Sequence, residues 1–328
     1  MAQLPLDRLK PAPAWYSITI DFFGPIEIRG EVNKRSRGKA YGVIFTCNLV
    51  RAVHIELSPD YSTDSFLLAL RRFMSVRGTP SKIRSDRGSQ LVGANRELKQ
   101  MINGLDVKTL MRFGAEEGIE WDFSPAEAPW YNGCAESMVR AAKKALQATL
   151  KGQIVTYSEL ITVISEVANL LNERPIGKQS NDIEDGFYLC PNDLLLGRAT
   201  SRIPGGPFEE YASSKKRFNY VQSIVDAFWV KMTRFYFPSL IVEQKWHTSS
   251  RNVCVGDIVL LQDSNALRGE WRLARISKTH PSSDGKVRKV TLSYRHLDNT
   301  SNYKGGALTN IERPVQNLVV ILAAEDST

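Results

Sequence analysis

The apolar positions near the start of the chain follow the two-residue period of β-strands. Three runs, residues 15–22, 39–48 and 52–57, are rich in β-branched and aromatic side chains, and the basic turn at residues 33–38 separates the first two. Residues 1–14 carry three prolines and are interpreted as an extended N-terminal linker. The pattern predicts three consecutive strands behind a short lead-in.

Helical spacing takes over after residue 61. Capping residues at 62–64 precede apolar positions that recur every three or four residues up to Gly78. A short strand ending at Ser85, helices at residues 94–102 and 107–117, a strand at 119–123, a helix from Glu136 and another at 157–173 then follow. This order predicts an α/β core over residues 15–175, in which a mixed sheet is flanked by helices.

The second half of the chain has a different character. Residues 176–252 are predicted to form a linker and a helical segment, since an irregular stretch rich in Gly, Pro and Ser precedes helical spacing at 218–237. The helical segment carries an aromatic series, Phe228, Trp229, Phe235, Tyr236 and Phe237, that is most simply packing. Short β runs at 257–262, 271–278, 288–294 and 315–322 predict a small β-barrel over residues 253–322.

Charge adds a class of partner to this outline. The 328 residues carry a net charge of +8, and residues 201–328 hold 18 basic against 12 acidic residues. Such an excess favours a polyanionic partner. The four cysteines and four histidines are dispersed, which argues against a disulfide framework and a zinc module. The apolar runs are too short for a membrane span, so we expect no membrane partner.

Three acidic residues, Asp21, Asp86 and Glu136, stand in sequences suited to a catalytic metal. Asp21 and Asp86 close apolar strand-like runs, and Glu136 follows the turn-rich stretch at 129–133. Carboxylates about 4 Å apart repel by about 4 kcal/mol at an effective dielectric of 20, so a cluster of them requires cations. Two Mg²⁺ or Mn²⁺ ions at such a cluster are the arrangement used for phosphoryl transfer.

Each acid also has a purely structural interpretation. Aspartates at strand ends often form caps or turns. On a helix of 100° per residue, Arg140 and Lys143 fall within about 40° of Glu136, and apolar residues occupy the opposite arc. That pattern fits an acid beside two phosphate-binding cations, and it equally fits an ordinary amphipathic helix with Glu–Arg pairing.

The three acidic motifs resemble the three signatures of retroviral-type integrases. The segments are 19–25 (TIDFFGP), 85–88 (SDRG) and 129–136 (PWYNGCAE). Segments 51–57 (RAVHIEL), 62–73 and 93–98 are similar to the integrase region of Pao/BEL retrotransposons. The resemblance implies an RNase H-like core in which Asp21, Asp86 and Glu136 hold two Mg²⁺ or Mn²⁺ ions. It also implies 3′-end processing of element DNA and strand transfer into a target duplex.

The resemblance further implies how DNA is held. Residues matching DNA-contacting positions lie on the Glu136 helix and in the loop before it: Arg140, Lys143, Lys144, Tyr131, Asn132 and Gly133. The β-rich tail is similar in kind to a basic SH3-like domain that binds DNA without sequence preference. Related enzymes work as multimers on DNA, so we expect a homo-oligomer acting in the nucleus, reached as part of a cytoplasmic element particle.

Two departures from the pattern leave a second hypothesis open. Arg87 stands where the Asp-Asn-Gly motif has asparagine, and the printed sequence holds no His-His-Cys-Cys zinc domain ahead of the core. One hypothesis is therefore an active integrase with an intact acidic triad. The other is a domesticated, catalytically inactive protein that keeps the fold and binds DNA or chromatin.

Overall fold

The computed structural model describes residues 11–60, 62–85, 106–123, 133–178, 188–197, 217–240, 251–263, 268–295 and 308–324, without the side chains of 133–137. The chain divides into two compact units. The first comprises Met1–Asn172 and Phe208–Phe228, and the second comprises Glu173–Pro207 and Trp229–Thr328.

A six-stranded mixed sheet forms the centre of the first unit. Its strands are β1 Ser17–Arg29, β2 Arg37–Cys47, β3 Val53–Ser58, β4 Lys82–Ser85, β5 Glu120–Phe123 and β6 Val155–Thr156. Their order is β3-β2-β1-β4-β5, with β6 paired to the far end of β1. Strands β1 to β3 are antiparallel, and β4, β5 and β6 join in parallel. The predicted mixed sheet is confirmed.

Helices α1 Thr63–Arg77, α2 Val107–Glu117, α3 Gly133–Leu150 and α4 Tyr157–Asn172 belong to this unit. The predicted start of α1 is confirmed, because the Ser62 hydroxyl accepts a hydrogen bond from the Ser65 amide. Helix α3 begins at Gly133, three residues ahead of the predicted start at Glu136. The helix predicted at residues 94–102 lies outside the described residues.

Strand β1 is longer than the sequence pattern predicts. The sequence pattern predicts that this strand ends at Phe22, with Asp21 at the strand end, but the strand continues to Arg29. Its pairing with β2 shifts register between Phe23 and Ile26. This bulge accommodates Gly24 at φ +119° and Pro25, which has no amide hydrogen for the ladder. Asp21 therefore lies within the strand, four residues after its first residue.

Aromatic contacts fix helix α1 on one face of the sheet. Phe73 stacks on Phe45 of β2 with ring centroids 4.4 Å apart, and Phe66 meets Phe22 of β1 at 5.5 Å. Trp15 approaches Phe73 edge-on at 5.4 Å. Because neighbouring strand residues point to opposite faces, the burial of Ile20 and Phe22 on the α1 side leaves Asp21 on the other side.

The second unit contains a five-stranded antiparallel sheet of order β12-β11-β10-β9-β13. Its strands are β9 Ile258–Leu261, β10 Arg272–Pro281, β11 Val287–Arg295, β12 Leu308–Pro314 and β13 Leu318–Leu322. The hairpin of β7 Gly177–Lys178 and β8 Tyr188–Leu189 and the short helix α5 Pro191–Leu196 also belong here. A β-rich C-terminal region is thus confirmed, while β7, β8, α5 and β12 are elements that the sequence pattern does not predict.

Helix α6, Arg217–Leu240, contributes Arg217–Phe228 to the first unit and Trp229–Leu240 to the second. In the second unit, Trp271 is buried against Trp229 at 4.9 Å and Phe237 at 6.1 Å. The predicted packing role of the aromatic series is confirmed except for Phe235, which is 37% exposed. No helix in the described ranges has both the length and the apolar character needed to cross a membrane.

Candidate active site

Asp21 occupies the central strand of the core, opposite Ile44 of β2. Its side chain is 39% exposed, whereas Ile20 and Phe22 on either side are almost fully buried. One carboxylate oxygen, Oδ1, accepts a hydrogen bond of 2.8 Å from the backbone amide of Phe22. The carboxylate is thus anchored at one oxygen and accessible to solvent, which is a suitable state for a metal ligand.

Strand β4 brings the second acidic motif to the same place. It runs parallel to β1, and its last residue, Ser85, lies opposite Ile20. The Trp121 indole of β5 donates to the Ser85 hydroxyl over 2.9 Å and fixes the strand end. Asp86 itself lies outside the described residues. The residues that precede Asp21 and Asp86 in the sequence are therefore direct neighbours in the sheet.

Helix α3 packs with its predicted apolar side. Met138, Val139, Ala142, Ala145 and Leu146 are buried, while Arg140 and Lys144 are exposed. Gly133, predicted to contact DNA, is the first residue of this helix. The side chain of Glu136 lies outside the described set, as do Tyr131 and Asn132.

Lys143 connects this helix to β1. Its ammonium group forms an ion pair with Asp21 Oδ2, and the two side chains are 22% and 39% exposed. A partly exposed pair of this kind stabilises a fold by only about 0–1 kcal/mol. Since Lys143 and Glu136 are seven residues apart, two turns of helix place them on the same helix face. The pair thus holds helix α3 against the strand that carries Asp21.

The resemblance implies divalent cations at the three carboxylates, and Asp21 is the one whose side chain is described. It fits such an ion, because carboxylate oxygens are the ligands that Mg²⁺ prefers and the ammonium shows that positive charge is stabilised there. Among the described side chains, no three His, Cys, Asp or Glu residues form a group that could hold a metal. That search included neither Asp86 nor Glu136.

The sequence pattern does not predict a network of three hydrogen-bonded side chains beside Asp21. Thr19, two residues before Asp21 and on the same face of β1, donates to the Asn48 side-chain oxygen over 2.8 Å. The Asn48 amide donates to the Ser17 hydroxyl over 3.0 Å. All three are buried. Satisfied buried networks rigidify what they join, so these bonds hold the strand that presents Asp21. The only sequence signal was the alternation of Ser17, Thr19 and Asp21.

Other ionic clusters of the core have structural roles. His54 contacts Glu56 Oε1 over 2.9 Å, and Arg72 donates to the other oxygen of Glu56 over 2.7 Å. Burial alone would raise the pKa of Glu56, but its hydrogen bonds to His54 and Arg72 bring that pKa below the ordinary value. These residues join β3 to helix α1.

Glu159 on helix α4 is the second buried carboxylate of this kind. It accepts hydrogen bonds from the Thr156 amide at 2.8 Å and from Arg217 of helix α6 at 2.9 Å, and pairs with Arg29 of β1 at 3.3 Å. Burial raises its pKa, and the Thr156 and Arg217 bonds outweigh burial, so the net shift is downward. A cavity of about 250 Å³ beside it is wide open. The cluster joins four elements, namely β1, β6, α4 and α6.

The basic excess of the second unit is partly paired with acids. Arg272 contacts Glu270 over 2.7 Å and also pairs with Asp263. Arg288 pairs with Asp284 over 2.6 Å and holds the pKa of that carboxyl at about 2. Lys278 and Lys286 lie exposed on β10 and in the turn that follows it.

Sequence comparison yields one family. Residues 216–321 match a family model described as a family of unknown function, DUF5641. The match covers less than half of the chain. The search of curated proteins found no match.

Structure comparison finds integrases. The catalytic core domain of HTLV-2 integrase in complex with magnesium (dimeric form) shows 14% identity over 49% of this chain and 88% of its own, with a TM-score of 0.30. The catalytic core domain of BIV integrase shows 15% identity, 56% and 95% coverage, and a TM-score of 0.35. A chain of the simian T-cell lymphotropic virus intasome, in complex with a PP2A regulatory subunit, shows 10% identity, 95% and 80% coverage, and a TM-score of 0.35. At such scores the case for a function stands on this chain's own residues.

Proposed function

We propose that this protein is an integrase-type polynucleotidyl transferase of the Pao/BEL retrotransposon kind, with an RNase H-like core and an SH3-like C-terminal barrel. Its substrates are element DNA ends and a target duplex. Asp21, Asp86 and Glu136 form the proposed catalytic and metal-binding triad. It acts on chromosomal DNA in the nucleus and functions as a homo-oligomer.

One observation carries this proposal. The Lys143–Asp21 ion pair and the Ile20–Ser85 register bring together the three segments in which the triad stands. A partly exposed carboxylate within a central strand has no packing role to explain it. Its neighbours Ile20 and Phe22 supply the core contacts, while Asp21 faces solvent and a cation.

The chain's residues divide the work as follows. Bound Mg²⁺ or Mn²⁺ ions supply activation of the attacking oxygen and stabilisation of the leaving oxygen. Arg140 and Lys143 on helix α3, with Lys144 beside them, bind the phosphates of the element end. Tyr131, Asn132 and Gly133 precede that helix or begin it and contact the DNA near the scissile phosphate. The Thr19–Asn48–Ser17 network keeps Asp21 in position.

The test is resolution of a branched strand-transfer DNA, the reverse of integration, in Mn²⁺. We expect the full chain to resolve it, and Asp86→Asn and Glu136→Gln each to abolish the reaction while still binding the DNA. Glu116→Gln, on the exposed surface of α2, is the matched control and should resolve the DNA as the unmodified chain does. Equal resolution by the unmodified chain and by Glu136→Gln would disprove the assignment.

A second candidate is a catalytically inactive DNA- or chromatin-binding protein. The observation that favours it is that the Lys143 ammonium forms an ion pair with the Asp21 oxygen at which a metal would bind. This candidate predicts DNA binding that weakens by roughly 10³–10⁵-fold between about 50 and 200 mM salt, as expected when several phosphates are neutralised. It also predicts no resolution of the branched DNA in Mn²⁺ by a folded, DNA-bound chain.

A further inference from the structure

The two carboxylate oxygens of Asp21 have different binding partners. Oδ1 accepts the Phe22 backbone amide at 2.8 Å, and Oδ2 is held by the Lys143 ammonium. The strand fixes the first contact, because it comes from the next residue of the same strand. The second is made by a flexible side chain from another element, so it is the one that can exchange.

A divalent cation and an ammonium compete for Oδ2. Both are positive, so they repel each other at short range, and the divalent ion is attracted to the carboxylate twice as strongly. The ion also takes oxygen ligands at short distances that leave no place for the ammonium on the same atom. Lys143 would therefore have to leave Oδ2 if a divalent cation were bound at Asp21.

The displaced lysine remains on the DNA-facing side of helix α3. Lys143 and Arg140 are three residues apart and share one face of that helix, and Arg140 is exposed. An ammonium group no longer paired with a carboxylate has its whole charge available for a phosphate. Lysine suits this exchange, because its charge is compact and its stem of four carbons is flexible.

We infer that Lys143 is an exchangeable counter-ion, an inference that rests on the proposed function. It neutralises Asp21 while the site lacks metal, and it moves to a DNA phosphate when a divalent cation binds. Metal binding and DNA binding are then positively coupled through this one side chain. Coupling between two sites is reciprocal, so DNA must raise the affinity for the metal by the same factor.

The experiment measures the affinity of the full-length chain for a short labelled DNA duplex by fluorescence anisotropy, in EDTA and in Mg²⁺ at matched ionic strength. We expect Mg²⁺ to raise the DNA affinity of the unmodified chain about ten times more than it raises that of Asp21→Asn. A factor of this size is within the usual range of coupling. Asp21→Asn should bind DNA tightly in both solutions, since its Lys143 has no carboxylate to hold it. Its remaining oxygen can still accept the Phe22 amide, so the strand is kept.

Lys143→Met should bind as weakly in Mg²⁺ as the unmodified chain does in EDTA. Lys144→Met is the matched control, because it removes the same charge from the next, exposed position of the helix. Its effect should be the same in both solutions. An equal loss of affinity for Lys143→Met in EDTA and in Mg²⁺ would overturn the exchange, and so would no loss in either.

Calorimetric titration with Mn²⁺ alone separates this inference from the proposed function. In one outcome, Asp21→Asn abolishes Mn²⁺ binding but the DNA affinities do not change with the metal. This outcome refutes the exchange and leaves the metal site intact. Equal Mn²⁺ binding by the unmodified chain and Asp21→Asn refutes the metal site itself, and the exchange with it. Tighter Mn²⁺ binding by Lys143→Met supports the competition for Oδ2.

Discussion

The side chain of Asn172 acts as a strand partner for Val53. Asn172 ends helix α4, and its amide oxygen accepts the Val53 backbone amide over 2.7 Å while its amide nitrogen donates to the Val53 carbonyl over 2.8 Å. Strand β3 is an edge of the sheet, so these two groups of Val53 have no neighbouring strand to bond with. One side chain thus satisfies both outward-facing backbone groups of Val53 and attaches α4 to the edge strand.

Replacing Asn172 by alanine should destabilise the core by about 3 kcal/mol, because it leaves two buried backbone groups without partners. Urea unfolding of the two chains measures the difference. Asn172→Asp keeps the acceptor but turns a carboxylate towards the Val53 carbonyl. We expect it to be destabilised at neutral pH and to recover as acid protonates the new side chain. A change below about 0.5 kcal/mol for Asn172→Ala would refute the role of the amide.

Gly42 is required by the ring of Phe23, opposite it in the β1–β2 ladder. A Cβ atom at Gly42 would lie 1.9 Å from Phe23 Cε1, and the ring is buried. We expect Gly42→Ala to destabilise the protein by about 1–3 kcal/mol, as overpacking does. Gly38→Ala on the same strand is the control, since its Cβ would meet Ile28 at 3.5 Å, an ordinary contact. Thermal unfolding of both variants decides this, and equal melting temperatures would contradict it.

Glu159 gives the core a pH-dependent stability. Its pKa is lowered in the folded state, so its contribution is present above the unfolded pKa, near 4.5, and is lost as the pH falls through the lower folded value. Glu159→Gln should lose about 2 kcal/mol of unfolding free energy near neutral pH. The two chains should converge in acid below the folded value.

The measurement for Glu159 is urea unfolding across the acidic range. Glu116→Gln provides the comparison, because its pair with Arg112 is long, at 3.9 Å, and largely exposed. That variant should match the unmodified chain at every pH. A difference for Glu159→Gln that stayed constant into strong acid would show that shape, rather than charge, is what the carboxylate contributes.

The thiol of Cys190 should be much less reactive than that of Cys254. Burial raises its pKa to about 12, so almost none is present as thiolate at neutral pH. Cys254 is partly exposed. Brief alkylation of the folded protein, read out by mass spectrometry of peptides, should label Cys254 well before Cys190. Denaturation should remove the difference, and Cys190 labelling as fast as Cys254 in the folded protein would contradict the burial.

Local signals were sufficient for much of the core. The alternation of β2 and β3, and the capping serine and terminal glycine of α1, predicted those elements within a few residues, and the alternation of β1 predicted the start of that strand. They failed where a turn sequence is used inside a strand, as at Gly24 and Pro25. They also failed at β12, an edge strand whose mostly polar positions are exposed or only partly buried, so that no fully buried face marks it.

The site was predictable only in part. Asp21 was identified from its motif, but the Lys143 partner was not, because residues 122 positions apart have no local signal for an ion pair. The Thr19–Asn48 hydrogen bond likewise has no local signal, because its two residues are 29 positions apart. Such contacts depend on strand register and helix placement, which exist only once the sheet has formed.

The bulge in β1 makes the two halves of that strand unequal in their tolerance of insertions and deletions. Between Ser17 and Asp21 the alternation is strict, so the loss of one residue would turn the carboxylate towards Phe66 and the aromatic side of the sheet. Between Phe23 and Ile26 the register already shifts, and one residue more or fewer there changes the bulge and leaves Asp21 facing helix α3. Length variation is therefore compatible with the site only downstream of the aspartate.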